Sequence, residues 1–317
     1  GSLVSGNETA RSSLYKEGKQ PADKAAPKYG ISVSGSVAVN DIRGQALAFG
    51  SDGTLSTAST AAFEADNTTD IFSITGAAAL STSKASKTAG IAGAVSLNTI
   101  EDTTEAFLQG ATVSTDGGLS LTAEASGEIK AISASIAGVP KKSGLGIAGQ
   151  VGLNTIDGST LAFIDGGRVE AQSLTLISSA ANSIFAVAGA VEYGGKAGFA
   201  ASVAVNRIIQ DTRSYITGVS SNAVEIDGDI ALDARNDSEI FTVSAALGIS
   251  PEGFAAAFSV AVNLISPTTL AYITDSGGVD AVSAGGGITL ASMDDADIFA
   301  FTGAGTYSES FGLGVSF

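Results

Sequence analysis

The chain has 317 residues, with 40 Gly, 5 Pro and only 15% charged side chains, and its 32 acidic against 16 basic residues leave a net charge of −16. It holds no His and no Cys, which excludes disulfide frameworks, thiolate or His-ligated zinc, the Ser-His-Asp triad and the Cys-His dyad. The acidic balance argues against nucleic acid as a partner, and apolar residues that are mostly small suit a thin, stacked β architecture better than the thick core of an α/β enzyme.

The first segment, residues 1–29, is polar, lacks any period and carries Arg11, Lys16, Lys19, Lys24 and Lys28. It is expected to be a poorly ordered linker, with Gly1-Ser2 a tag remnant. No secretory signal opens the chain, and no run of about 18 apolar residues occurs. Any export signal is expected to lie outside this piece, and membrane insertion of the segment itself is not expected.

Residues 30–317 read as a single array of five tandem repeats. A strand-like run ends in an Asn at Asn40, Asn98, Asn154, Asn206 and Asn263, spaced by 58, 56, 52 and 57 residues. An aromatic follows nine positions later in every unit, at Phe49, Phe107, Phe163, Tyr215 and Tyr272. Next come a Gly-containing turn, alternating apolar residues such as Leu119, Leu121 and Ala123, a polar residue before Ile as in Glu128-Ile129, and a second apolar stretch running into a polar tip. This reading gives about four strands per unit. The last unit stops where another Asn is called for, so the array is expected to be part of a longer one.

Such a unit cannot bury both faces alone, so the units are expected to stack as an all-β solenoid, a right-handed β-helix, with strands about 4.8 Å apart. Equivalent Asn residues then form a hydrogen-bonded ladder and equivalent aromatics a stacked column, read as core. One wide coil or two coils of about 28 residues remain alternatives, as do parallel and partly antiparallel pairing. Separate sandwiches are disfavoured by unit size and a lipid-facing barrel by the few aromatics.

The unit V-(A/S/G)-(V/L)-N followed by T-x-A-(F/Y)-(I/L)-x-G-(A/G), seen from Leu97-Asn98 to Ala111 and from Leu153-Asn154 to Gly167, resembles the repetitive passenger regions of large bacterial filamentous adhesins. These include leukotoxin-like, autotransporter-type β-repeat proteins. The resemblance covers residues 30–317 and departs locally at Gln45 to Phe49 and at Arg213-Ser-Tyr215. It implies export through the outer membrane, a secreted or cell-surface location, and a role in attachment.

The expected function is accordingly a non-catalytic structural or adhesive segment of a surface fibre, acting as a rod-like spacer or a cell-attachment module. Its expected partners are a host or neighbouring-cell surface, or other segments of the same fibre. The alternative is a polysaccharide-binding or polysaccharide-cleaving β-helix, since paired carboxylates can perform glycoside chemistry without His. No cofactor is expected. Asp294, Asp295 and Asp297 are the weak candidates for calcium, set against ordinary Asp-Gly turn chemistry. The tips, for instance Lys141-Lys142 and Tyr193, are the candidate contact points for a surface.

Overall fold

A computed structural model describes residues 28–317 apart from positions 84, 141 and 275. The expected linker over 1–29 thus falls outside the described residues except for its last two. The described chain winds through five coils of parallel strands. The first coil comprises β1 (Tyr29–Ser51), β2 (Thr54–Thr57) and β3 (Ala61–Leu80), and the second β4 (Lys87–Gln109), β5 (Thr112–Thr115) and β6 (Gly118–Val139). The third has β7 (Gly144–Asp165), β8 (Arg168–Ala171) and β9 (Ser173–Gly194), and the fourth β10 (Ala197–Thr217), β11 (Val224–Ile226) and β12 (Ile230–Ser250). The fifth has β13 (Phe254–Ile273), β14 (Val282–Ala284) and β15 (Ile288–Ser308), and β16 (Phe311–Ser316) follows on β13.

These strands form a front sheet in the order β1-β4-β7-β10-β13-β16, a back sheet β15-β12-β9-β6-β3, and a short sheet β14-β11-β8-β5-β2 that joins them along one side. All pairing is parallel and in register with the repeat: Asn40, Asn98, Asn154, Asn206 and Asn263 are successive partners. The protein is a parallel β-helix with one wide coil per repeat. A strand of 22 residues runs about 70 Å, whereas five coils rise only about 24 Å, so this piece is a plate wider than it is tall.

Each coil has two long strands and one short one, not about four strands of similar length. The Asn and the polar-Ile pair do not mark turns. Both lie within continuous strands, where Asn98 and Ile129 point inward and are buried. The polar residue survives mid-strand because the repeat supplies it with a hydrogen-bonding copy in the next coil.

Side-chain size follows the cross-section. Beside the short sheet the long sheets diverge, and Leu108, Leu121, Ile164, Leu176, Ile216 and Leu232 fill the space. A belt of Ile100, Ile129, Ile156, Ile184, Ile208 and Ile240 follows. Toward the tips the interior is almost purely Ala, including Ala92, Ala137, Ala148, Ala190 and Ala200, with buried Ser between. Where the chain leaves the front sheet for the short one, the equivalent residues Asp52, Gly110, Gly166 and Gly218 all adopt positive φ, between 49° and 67°. The Gly of the repeat consensus thus serves a left-handed turn, which only Gly enters without steric cost.

Candidate functional site

The Asn residues form one continuous interior ladder. Asn40 Nδ2 donates to Asn98 Oδ1 at 2.7 Å, Asn98 Nδ2 to Asn154 Oδ1 at 2.7 Å, Asn154 Nδ2 to Asn206 Oδ1 at 2.7 Å, and Asn206 Nδ2 to Asn263 Oδ1 at 2.8 Å. The ladder is tied across to the back sheet, because Asn206 Nδ2 also donates to Thr242 Oγ1 at 2.7 Å. Further buried hydroxyls join the two sheets, as between Ser202 and Ser244 at 3.0 Å and Ser178 and Ser214 at 2.9 Å. This network fixes register and spacing between the sheets and leaves no open chemistry.

The aromatic residues also stack coil on coil, with centroids 5.1 Å apart for Phe49 and Phe107, 4.8 Å for Phe107 and Phe163, 4.9 Å for Phe163 and Tyr215, and 5.0 Å for Tyr215 and Tyr272. This column is not core. Ala106 and Leu108 are buried on either side of Phe107, so alternation turns the ring outward, and each ring is shielded chiefly by its neighbours in the column.

The three Asp residues weighed for calcium do not converge. Asp294 accepts from Asn236 Nδ2 at 2.7 Å on the inner side of the coil, while strand alternation turns Asp295 and Asp297 to the opposite side. Among the described residues no group of three or more His, Cys, Asp or Glu is placed to hold a metal ion. Exposed cations instead sit beside acids two residues away on the same strand face: Arg43 with Asp41, Lys130 with Glu128, Arg168 with Glu170, Arg213 with Asp211, and Arg235 with Asp233.

Two surfaces carry the remaining polar chemistry. Along the short sheet runs an open groove of about 600 Å³ lined by Asp116, Glu170, Gln172, Glu225 and Asp227. Glu170 and Glu225 are partners one coil apart, and the Arg168 guanidinium contacts both carboxylates at 2.7 Å. The tips lie at the far side of the plate. There Lys142 pairs with Glu252 at 3.0 Å and Tyr193 is 38% exposed; Lys141 lies outside the described residues.

Two features went unread in the sequence. The first is Glu192, fully buried among the Ala and Gly of the tip-side interior. Neither carboxyl oxygen has a hydrogen-bonding partner, and a Cβ built on Gly146 or Gly198 would collide with the carboxyl, so those glycines make its slot. Burial pushes its pKa up to about 8, opposed by the nearby Ile249 amide, which makes no hydrogen bond of normal geometry to it. The signal was a charged residue at an inward position whose equivalents are Ala79, Ala137, Gly248 and Thr306.

The second is the outer surface of the tip-side half, which is apolar on both long sheets. On the front sheet Ile91, Val151, Leu153 and Phe199 are 36–39% exposed. Small residues go in and branched ones out, the reverse of the usual sorting. Comparison with protein-family models, with curated proteins and with solved structures gave no match.

Proposed function

We propose that this chain is a structural or adhesive segment of a large secreted or surface-displayed bacterial fibre, working without catalysis. The observation that carries this reading is repetition: ladder and aromatic column recur at one register position in all five coils and the left-handed turn in the first four, and variation in repeat length is confined to the loops. Loops vary freely on a stacked scaffold because insertions there leave strand pairing intact. The adhesive form of the proposal assigns contact with a host or neighbouring cell to the tips, and the spacer form assigns it elsewhere.

Immobilised protein with tip residues 193–196 exchanged for a Gly-Ser loop, compared with the unaltered chain for cell retention, separates these forms. Lost retention supports the tips as contact points. Unchanged retention removes this tip as the contact point, and no retention by either protein supports the spacer and removes the adhesive form.

A second reading, polysaccharide binding or cleavage, draws on the groove where Glu170 and Glu225 stack one coil apart. Paired carboxylates are the chemistry of glycoside hydrolysis, although here Arg168 engages both. A glycan array together with an assay for released reducing ends, on the unaltered chain and on Glu225→Gln, tests it. Absence of both binding and release dismisses it.

A further inference from the structure

We infer that the tip-side outer face of the front sheet is a self-association surface, on which the same face of a second copy of this chain docks. The inference rests on the coil alone, so it and the surface-fibre reading stand or fall separately. Its first support is the run of outward positions from Ile31 to Val39 and their register partners in the next four coils. These include the continuous column Val37, Val95, Val151, Val203 and Val260, and no polar side chain interrupts any of them. Eight residue steps along the strand and five coils across give an apolar field of about 26 by 24 Å, on the order of 600 Å². That sits at the top of the range for the largest apolar patch of a monomer, and just below the roughly 800 Å² that each partner contributes to a standard interface.

The second support is independent of hydrophobicity. Within the first three coils of this field Gly35, Gly93 and Gly149 make a furrow between ridges of branched side chains, which Ala201 and Phe258 close in the last two coils. A Cβ added to Gly93 or Gly149 would meet no atom within 4 Å, and neither residue has positive φ. The coil's own packing and backbone therefore do not require glycine there, although glycine inside a strand weakens it. Glycine is required if a ridge from outside must seat in the furrow, as facing sheets do when they close to about 10 Å.

Charge selects the pairing. Beside the apolar field of the back sheet runs a predominantly acidic column, Asp70, Glu128, Glu239 and Asp297, broken by Ser183 in the third coil and with Lys130 as the cation next to it, so two back faces would set mostly like charges against each other. The front sheet has mixed signs there, with Arg43 and Arg207 among Asp41, Glu101 and Asp157. Two front faces related by a two-fold axis can match them. Lipid is the poorer occupant, because unpaired strand edges at the first and last coils are not tolerated in hydrocarbon.

Sedimentation of the chain over a concentration series provides the test, with far-UV circular dichroism to verify the fold. The unaltered chain is expected to show a monomer–dimer equilibrium, and Val151→Lys to weaken it at least tenfold. Val187→Lys, at the equivalent place on the back sheet, should leave it unchanged. Gly149→Val guards against misfolding: it fills space the coil leaves open, so the fold should hold while dimerisation weakens at least tenfold. A strictly monomeric chain, or equal loss with Val151→Lys and Val187→Lys, overturns the inference. So does flotation of the unaltered chain with phosphatidylcholine–phosphatidylglycerol vesicles that Val151→Lys abolishes, since that assigns the face to lipid.

Discussion

The Asn154 side chain is held between two copies of itself, accepting from Asn98 Nδ2 and donating to Asn206 Oδ1, both at 2.7 Å, with all three residues buried. Asn154→Leu keeps the branched shape but strands an acceptor on Asn206 and weakens the bonding of Asn98 Nδ2, which retains only Ser96 Oγ at 3.1 Å. A buried unpaired amide group costs about 1–3 kcal/mol. A loss of about 2–4 kcal/mol is therefore expected in denaturant unfolding. Asn40→Leu, at the exposed end of the ladder, should cost well under half as much.

Glu192 makes stability depend on pH in the opposite direction to a salt-bridged acid. Its carboxyl ionises near the ordinary 4.5 when the chain is unfolded and only at about 8 when folded. Between these values the folded protein holds the extra proton, so stability falls as pH rises from about 4.5 to about 8 and levels off above. Full development of such a shift is worth on the order of 5 kcal/mol. Glu192→Ala removes the carboxyl from between Ala137 and Gly248 of the neighbouring coils. Its melting temperature should exceed that of the unaltered chain by a margin that widens between pH 5 and pH 9, and a constant margin would contradict the buried-acid account.

At Gly166, φ is 67° and an added Cβ would approach nothing closer than the Gly218 carbonyl oxygen at 3.8 Å. Gly166→Ala therefore isolates the backbone cost of the left-handed turn, about 1 kcal/mol. Asp52→Gly, at the one equivalent position among the described residues that carries a side chain at positive φ, should stabilise by a few tenths to about 1 kcal/mol. Calorimetric melting of the two variants should shift in opposite directions.

Phe163 stacks on Phe107 and Tyr215 from outside the core. Each aromatic pair contributes about 0.5–1.5 kcal/mol beyond area burial, so Phe163→Ala should cost about 1–3 kcal/mol. Ile156→Ala, in the buried Ile belt, should cost about 2–5 kcal/mol. Equal losses would mean that the column is more deeply sequestered than its outward orientation implies.

Fixed offsets made the stacking legible. Five Asn residues, each with an aromatic nine positions on, imply equivalent places in successive layers. What escaped the sequence was which way each residue faces. Period-two alternation is read from polarity, and in Leu145-Gly-Ile-Ala-Gly-Gln-Val151 the two faces differ chiefly in size: Gly146 and Ala148 point in, Ile147 and Val151 out. The same blindness put the aromatic column in the core and split each long strand at its Asn, because a polar residue within an apolar run looks like a boundary until its copy in the next layer is in place. Glu192 was hidden for a related reason, since its slot is made by glycines on the facing sheet.

The breadth of the coil has a mechanical consequence. A turn such as that from Asn98 to Asn154, 56 residues long, advances the axis by about 4.8 Å. The same residues drawn out span about 190 Å. Tension that peels one turn from the end of the stack thus lengthens the tether roughly fortyfold at that point while the next turn keeps its own ladder. A stack of this kind yields in steps, dissipating work turn by turn instead of transmitting a sudden load.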